Sequence, residues 1–150
     1  MHHKIINTGL ASNLRLRAIC GFDSSRMLAI AGINNTAPAL FSLLEAMAQA
    51  GALHARYSDN FQRHVFLVKV AHCILPEHLP AGEVIILQAE MRGKSDRSFF
   101  YHIQAREENH ALEGDFWFSS VDYDERFSAA ALRQHYRDLW TCLTSASPAA

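Results

Sequence analysis

A chain of 150 residues with 49% apolar and 19% charged side chains suits one folded domain and excludes a wholly disordered protein. Its net charge of −1 gives no sign of the basic face that nucleic-acid binding needs. No apolar run approaches the ~20 residues that cross a bilayer, and no signal-peptide pattern is seen, so we expect a cytoplasmic protein. The three cysteines are widely separated and are expected to be reduced thiols.

The first predicted elements are two strands joined by a turn. Apolar and polar residues alternate from Asn13 to Cys20. This pattern predicts a half-buried strand with the even-numbered side chains, Cys20 included, on the inner face and Ile19 on the other. Residues 21–25 read as a turn, and Met27 to Ile33 is the predicted returning strand.

A long apolar helix is predicted next, from about Ala37 to about Ala55. Thr36 is the predicted N-cap, and Pro38 suits the first turn because its missing N–H leaves no bond unmade there. The helix is apolar on nearly every side, so we expect it to be buried, with its small residues allowing a sheet to approach closely. Its polar exceptions lie at i, i+3 and i+7 on one stripe: Ser42, Glu45 and Gln49.

Four strands and a second helix complete the predicted elements. The strands are His64 to Leu75, Val84 to Arg92, Ser98 to Arg106 and Ala111 to Asp122. The helix spans about 128–143, with a frayed tail at 145–150. One apolar helix must be covered on most sides, and a curved antiparallel sheet does this. We therefore expect an α+β fold and a single domain over 1–150, with its core at about 5–123.

Two segments resemble the hot-dog-fold 3-hydroxyacyl-acyl-carrier-protein dehydratases. Residues 43–49, Leu-Leu-Glu-Ala-Met-Ala-Gln, are similar to the central-helix motif that contains the catalytic acid of that family. Residues 66–76 and 79–83 are similar to its strand after the helix and its Pro-Gly-acidic turn. The resemblance implies a hot-dog fold, in which an antiparallel sheet wraps a long central helix. It also implies dehydration of 3-hydroxyacyl thioesters of acyl-carrier protein or CoA, in fatty-acid or polyketide-type metabolism, by a homodimer paired through edge strands.

Glu45 is the predicted catalytic residue. Dehydration needs a base for the α-proton and an acid for the leaving hydroxyl, and in the family a histidine and the helix carboxyl take these roles. Burial on an apolar helix would raise the pKa of Glu45 and make it a proton donor. The alternative is a structural glutamate bonded to the backbone or to Gln49. The predicted substrate-binding residues are Gln49, Asn35, Thr36 and Ser42.

The segment before the helix departs from the family pattern. The dehydratases carry their catalytic histidine on a longer loop there, whereas Gly32 to Pro38 leads straight into the helix and contains no histidine. His54 lies on the far side of the helix from Glu45, so it cannot take the place of that histidine within the same subunit. Two alternatives therefore stay open: a hot-dog thioesterase that uses Glu45, and a non-catalytic acyl-binding or partner subunit. No cofactor is expected, and the histidines and cysteines lack the spacing of a zinc site.

Overall fold

The computed structural model describes residues 14–32, 39–75, 84–107, 110–124 and 128–145. These ranges form β1 (Leu16–Phe22), β2 (Arg26–Gly32), α1 (Ala39–Ser58), β3 (His64–Ile74), β4 (Val84–Lys94), β5 (Ser98–Glu107), β6 (His110–Val121) and α2 (Ala129–Ser145). The strands pair antiparallel in the order β1-β2-β4-β5-β6-β3. All six strands contact α1, so the sheet wraps the long helix as the sequence predicts.

The predicted elements are confirmed, with boundaries that shift by a few residues. Helix α1 continues past Ala55 and closes with a Schellman motif. The N–H of Phe61 donates to the carbonyl of Arg56 at 2.8 Å, and that of Asn60 donates to the carbonyl of Tyr57 at 3.0 Å. Asn60 has a φ of 54°, a left-handed conformation that asparagine tolerates better than most residues. The helix start predicted at Thr36 lies outside the described residues.

The predicted facing of β1 is wrong at its centre. Register shifts between Leu16 and Ala18, and between Ile19 and Gly21, interrupt the pairing with β2. Each irregularity resets the alternation of side chains. As a result Ile19 is buried and Cys20 is exposed, the reverse of the prediction.

The core lies between α1 and the inner face of the sheet. Phe99, Tyr101 and Ile103 alternate along β5 on its inner face, and all three are buried. At Gly51 the helix lies so close to the sheet that a Cβ would stand 2.7 Å from the ring of Phe118 and 2.8 Å from Cδ1 of Ile103. Only glycine fits α1 at this point without displacing those side chains.

The second helix packs against α1 and β1. Its buried residues lie on one face of the helix: Leu132, Tyr136, Trp140 and Leu143. The indole of Trp140 stacks on Tyr57 of α1, with ring centroids 4.5 Å apart, and meets the edge of Phe22 of β1 at 4.8 Å. This aromatic contact fixes α2 beside the long helix. Within the described ranges, neither helix is long and apolar enough to cross a membrane.

A buried histidine ties α1 to the sheet. Nε2 of His54 lies 2.9 Å from the carbonyl oxygen of Asp23, and Nδ1 lies 2.6 Å from the hydroxyl of Tyr101. A carbonyl only accepts, so Nε2 carries the proton and Nδ1 accepts from Tyr101. Burial lowers the pKa of His54 because the charged imidazolium would lose its hydration. The folded protein therefore holds this histidine neutral.

We expect this arrangement to make the protein acid-sensitive. Below the ordinary histidine pKa of about 6.5, the unfolded chain binds a proton that folded His54 refuses, so the free energy of unfolding falls as the pH falls. The loss reaches at most about 1.4 kcal/mol per pH unit for one histidine. Urea denaturation at about pH 7.5 and about pH 5.5 measures it, and the difference should shrink in His54→Phe. An equal difference in the variant would assign the acid sensitivity to other groups, of which His64 is the first candidate because its pKa is lowered too.

Candidate functional site

A largely apolar cavity of about 580 Å³ lies between α1, the start of β1, β3 and α2. Its size is that of pockets that hold small molecules in other proteins. Helix α2 closes one side of it with Tyr136, Leu139 and Leu143. The cavity therefore depends on both helices and on the two outermost strands of the sheet.

One stripe of α1 lines this cavity along its length. Glu45, Gln49, Ala52 and Arg56 are spaced at i, i+4, i+7 and i+11, which places them on one face of a helix. Eleven residues at 1.5 Å each separate the first and last Cα atoms by roughly 16 Å along the axis. Glu45 and Gln49 of the predicted polar stripe thus lie on the cavity wall, and the wall continues along α1 to Arg56.

Glu45 lies at one part of this stripe, beside Arg15. Its Oε2 is 3.5 Å from Nε of Arg15, and its side chain is 34% exposed. The surroundings differ from the apolar burial expected, because Glu45 belongs to a partly shielded ion pair. Oε1 of Gln49 accepts a hydrogen bond of 2.8 Å from the backbone N–H of Arg15. Gln49 therefore fixes the backbone of Arg15, and the side chain of Arg15 forms the ion pair with Glu45.

The other predicted binding residues do not lie with Glu45 and Gln49 on the cavity wall. Ser42 is buried and does not line the cavity, and its hydroxyl has no hydrogen-bond partner. Asn35 and Thr36 lie outside the described residues. Of the five predicted site residues, the structure thus brings Glu45 and Gln49 together.

A second polar group lies around Arg56, which the sequence analysis missed. Nη2 of Arg56 donates to the carbonyl of Val65 at 2.8 Å and lies 3.2 Å from Nδ1 of His64. The ring of Tyr136 covers the guanidinium at 3.6 Å. Burial, and then the charge of Arg56, lower the pKa of His64, so this imidazole stays neutral near neutral pH. Arg56 lies seven residues after Gln49 on the same helix face, so this spacing is the signal in the sequence that would have found it.

The aromatic segment 116–118 divides between two faces of β6. The sequence favoured core or dimer packing, with the wall of an acyl tunnel as the alternative. Phe116 is buried in the core, and Phe118 both packs in the core and lines the cavity. Trp117 lies on the other face and stacks on Phe100, with ring centroids 4.6 Å apart.

The chemistry available in the cavity comes from a carboxylate. Among the described residues, Arg15 forms the ion pair with Glu45, and no histidine there contacts that carboxylate. A carboxylate beside an apolar cavity can act as a base toward water or attack an electrophilic carbonyl. No three histidine, cysteine, aspartate or glutamate side chains in the described ranges are arranged to hold a metal ion.

The chain matches no protein-family model and no curated protein sequence. Solved structures resemble it in three dimensions. A thioesterase from Haemophilus influenzae matches with a TM-score of 0.58 at 16% identity, over 78% of this chain and 85% of that one. The dehydratase heterocomplex ApeI:P from Xenorhabdus doucetiae matches with a TM-score of 0.58 at 10% identity, over 78% and 88%.

A third structure, an HP0420 homologue from Helicobacter felis, matches with a TM-score of 0.61 at 12% identity, over 80% of this chain and 88% of that one. At such identities the likeness establishes the fold, and activity has to be argued from the site. The wrapped helix, the strand order and these matches together show that the chain has the hot-dog fold.

Proposed function

We propose that this protein is an acyl-thioester enzyme, and that it hydrolyses the thioester with Glu45. The observation that carries the proposal is the ion-paired Glu45 carboxylate on the wall of an apolar cavity. The cavity suits an acyl chain, and a carboxylate activates water or attacks a thioester carbonyl without help from a histidine. The thioesterase from Haemophilus influenzae, which shares the fold, supports this choice.

Dehydration of a 3-hydroxyacyl thioester is the second candidate. The resemblance of residues 43–49 to the dehydratase helix supports it, and so does the likeness to a dehydratase heterocomplex. We propose acyl-carrier protein or CoA as the carrier of the acyl group in both reactions.

Replacing Glu45 by Gln tests the role of the carboxylate. The change keeps the shape of the side chain and removes its charge, so turnover should fall by of order 10²-fold or more, while the melting temperature stays nearly unchanged. Purified protein is assayed for release of free thiol from simple acyl thioesters and for the enoyl product from 3-hydroxyacyl thioesters. Glu90→Gln, at a partly exposed glutamate on β4, is the matched control and should keep full activity.

The pattern of products separates the alternatives. Thiol release that depends on Glu45 supports hydrolysis, and enoyl product that depends on Glu45 supports dehydration. Full activity in Glu45→Gln contradicts a catalytic Glu45. Wild-type protein that binds acyl thioesters without turning them over would be a binding or partner subunit.

We also propose that two copies pair through β3. This strand lies at one edge of the sheet and leaves apolar side chains exposed, among them Phe66, Leu67 and Val68. An edge strand with free backbone groups and apolar side chains is a ready template for pairing with another strand. Phe66 and Leu67 also line the cavity, so a copy seated on β3 would lie beside the site. A continuous sheet across a two-fold axis follows from this pairing.

Val68→Lys should separate the two copies. The side chain of Val68 is 60% exposed, so lysine fits in the single chain, whereas two lysines facing each other across an edge repel. Light scattering at micromolar concentration should change from the mass of a dimer to that of a monomer. Val84→Lys, at a valine that is 50% exposed on β4, is the control and should leave the mass unchanged. A wild-type monomer at this concentration would rule out the pairing.

A further inference from the structure

Arg56 is a buried charge on the cavity wall. It is 2% exposed and lies on the same stripe of α1 as Glu45, roughly 16 Å further along the helix axis. The residues around it are buried too, including Val65 and Tyr136, whereas Leu14 and Phe66 on the lining are exposed. Arg56 therefore belongs to the deep part of the cavity, and the exposed residues mark its mouth.

The partners of Arg56 leave its charge unbalanced. A backbone carbonyl, an imidazole and a tyrosine ring contact the guanidinium, and no carboxylate in the described ranges forms an ion pair with it. Nη1 of Arg56 is buried without a hydrogen-bond partner. Removing a charge from water without a counter-ion is costly, and burial accordingly lowers the pKa of Arg56.

The hydroxyl of Tyr136, beside Arg56, is in the same condition. It is buried without a hydrogen-bond partner, whereas the hydroxyl of Tyr123 lies within hydrogen-bonding range of the guanidinium. Two buried donors, Nη1 of Arg56 and the hydroxyl of Tyr136, thus lie at one end of an apolar cavity. A carboxylate only accepts hydrogen bonds and offers two oxygens, which matches a guanidinium edge and a neighbouring hydroxyl.

We infer that Arg56 binds a carboxylate at the far end of an aliphatic ligand, which lies along the stripe of α1. The inference rests on the proposed function, in which the thioester reacts beside Glu45. The acyl substrate is then a dicarboxylic acid joined to its carrier through one end only. The charge of Glu45 fixes the direction, because a second carboxylate near it would be repelled. Nη1 is buried, so a neighbouring side chain has to move when the carboxylate binds.

Two probes, one with a charged end and one without, test the inference by binding alone, without turnover. The probes are monomethyl decanedioate, which has one carboxylate, and dimethyl decanedioate, which has the same chain and none. Isothermal titration calorimetry should show the monoester binding wild-type protein at least about tenfold more tightly, equal to about 1.4 kcal/mol. Equal affinities would overturn the inference and leave Arg56 as an internal tie between α1, β3 and α2.

Variants locate the carboxylate. Arg56→Met keeps an unbranched side chain and removes the charge, so it should lose the preference for the monoester and keep its affinity for the diester. Arg92→Met, at an exposed arginine on β4, is the control and should behave as wild type. A preference that survives in Arg56→Met contradicts the inference. If that variant does not fold, Tyr136→Phe decides, since loss of the hydroxyl should weaken the preference and an unchanged preference overturns the inference.

The outcome is separate from that of the proposed function. Protein that prefers the monoester yet releases no thiol and forms no enoyl product would support the carboxylate site and contradict the proposed reaction. Protein that hydrolyses alkyl thioesters, with no preference between the two probes, would support the proposed reaction and contradict the carboxylate site.

Discussion

The contact between α1 and the sheet at Gly51 sets the geometry of the whole protein. A Cβ there would stand 2.7 Å from the ring of Phe118, closer than packed atoms allow. A glycine inside a helix costs up to about 1 kcal/mol relative to alanine, which the close packing on β5 and β6 offsets. Because one face of the helix is pressed against the sheet, the opposite face is free to line a cavity. Glu45 and Arg56 are both on that opposite face.

Two buried polar residues near the end of α1 show how a structural group differs from a binding group. His54 has partners at both ring nitrogens and is held neutral, so nothing remains for a ligand to satisfy. Arg56 comes two residues later, points to the other side of the helix and keeps an unsatisfied donor beside the cavity. The position of each residue around the helix axis decides which role it takes. On this reading, the helix carries a fold-stabilising face and a ligand-facing stripe.

The periodicity of apolar residues was enough to predict every described strand, both helices and the wrapping of the sheet around α1. It failed at Ile19 and Cys20 because an irregular pairing depends on the neighbouring strand, which is remote from the local pattern. The polar stripe predicted Glu45 and Gln49 on one face. It stopped short of Arg56 because an arginine near a helix end usually reaches solvent, and here α2 covers it. Tyr136 offered no signal, since its apolar-face position is equally typical of a core residue.

The order of the elements along the chain has a consequence for how the cavity forms during folding. Helix α2 follows all six strands, yet it supplies a wall of the cavity and the Tyr136 ring over Arg56. Until α2 docks, this side of α1 is open to water. The charged and amide side chains of the stripe hydrate that surface, which lowers the risk that a partly folded chain aggregates through it. Docking of Trp140 against Tyr57 and Phe22 is then the step that turns an open groove into an enclosed site.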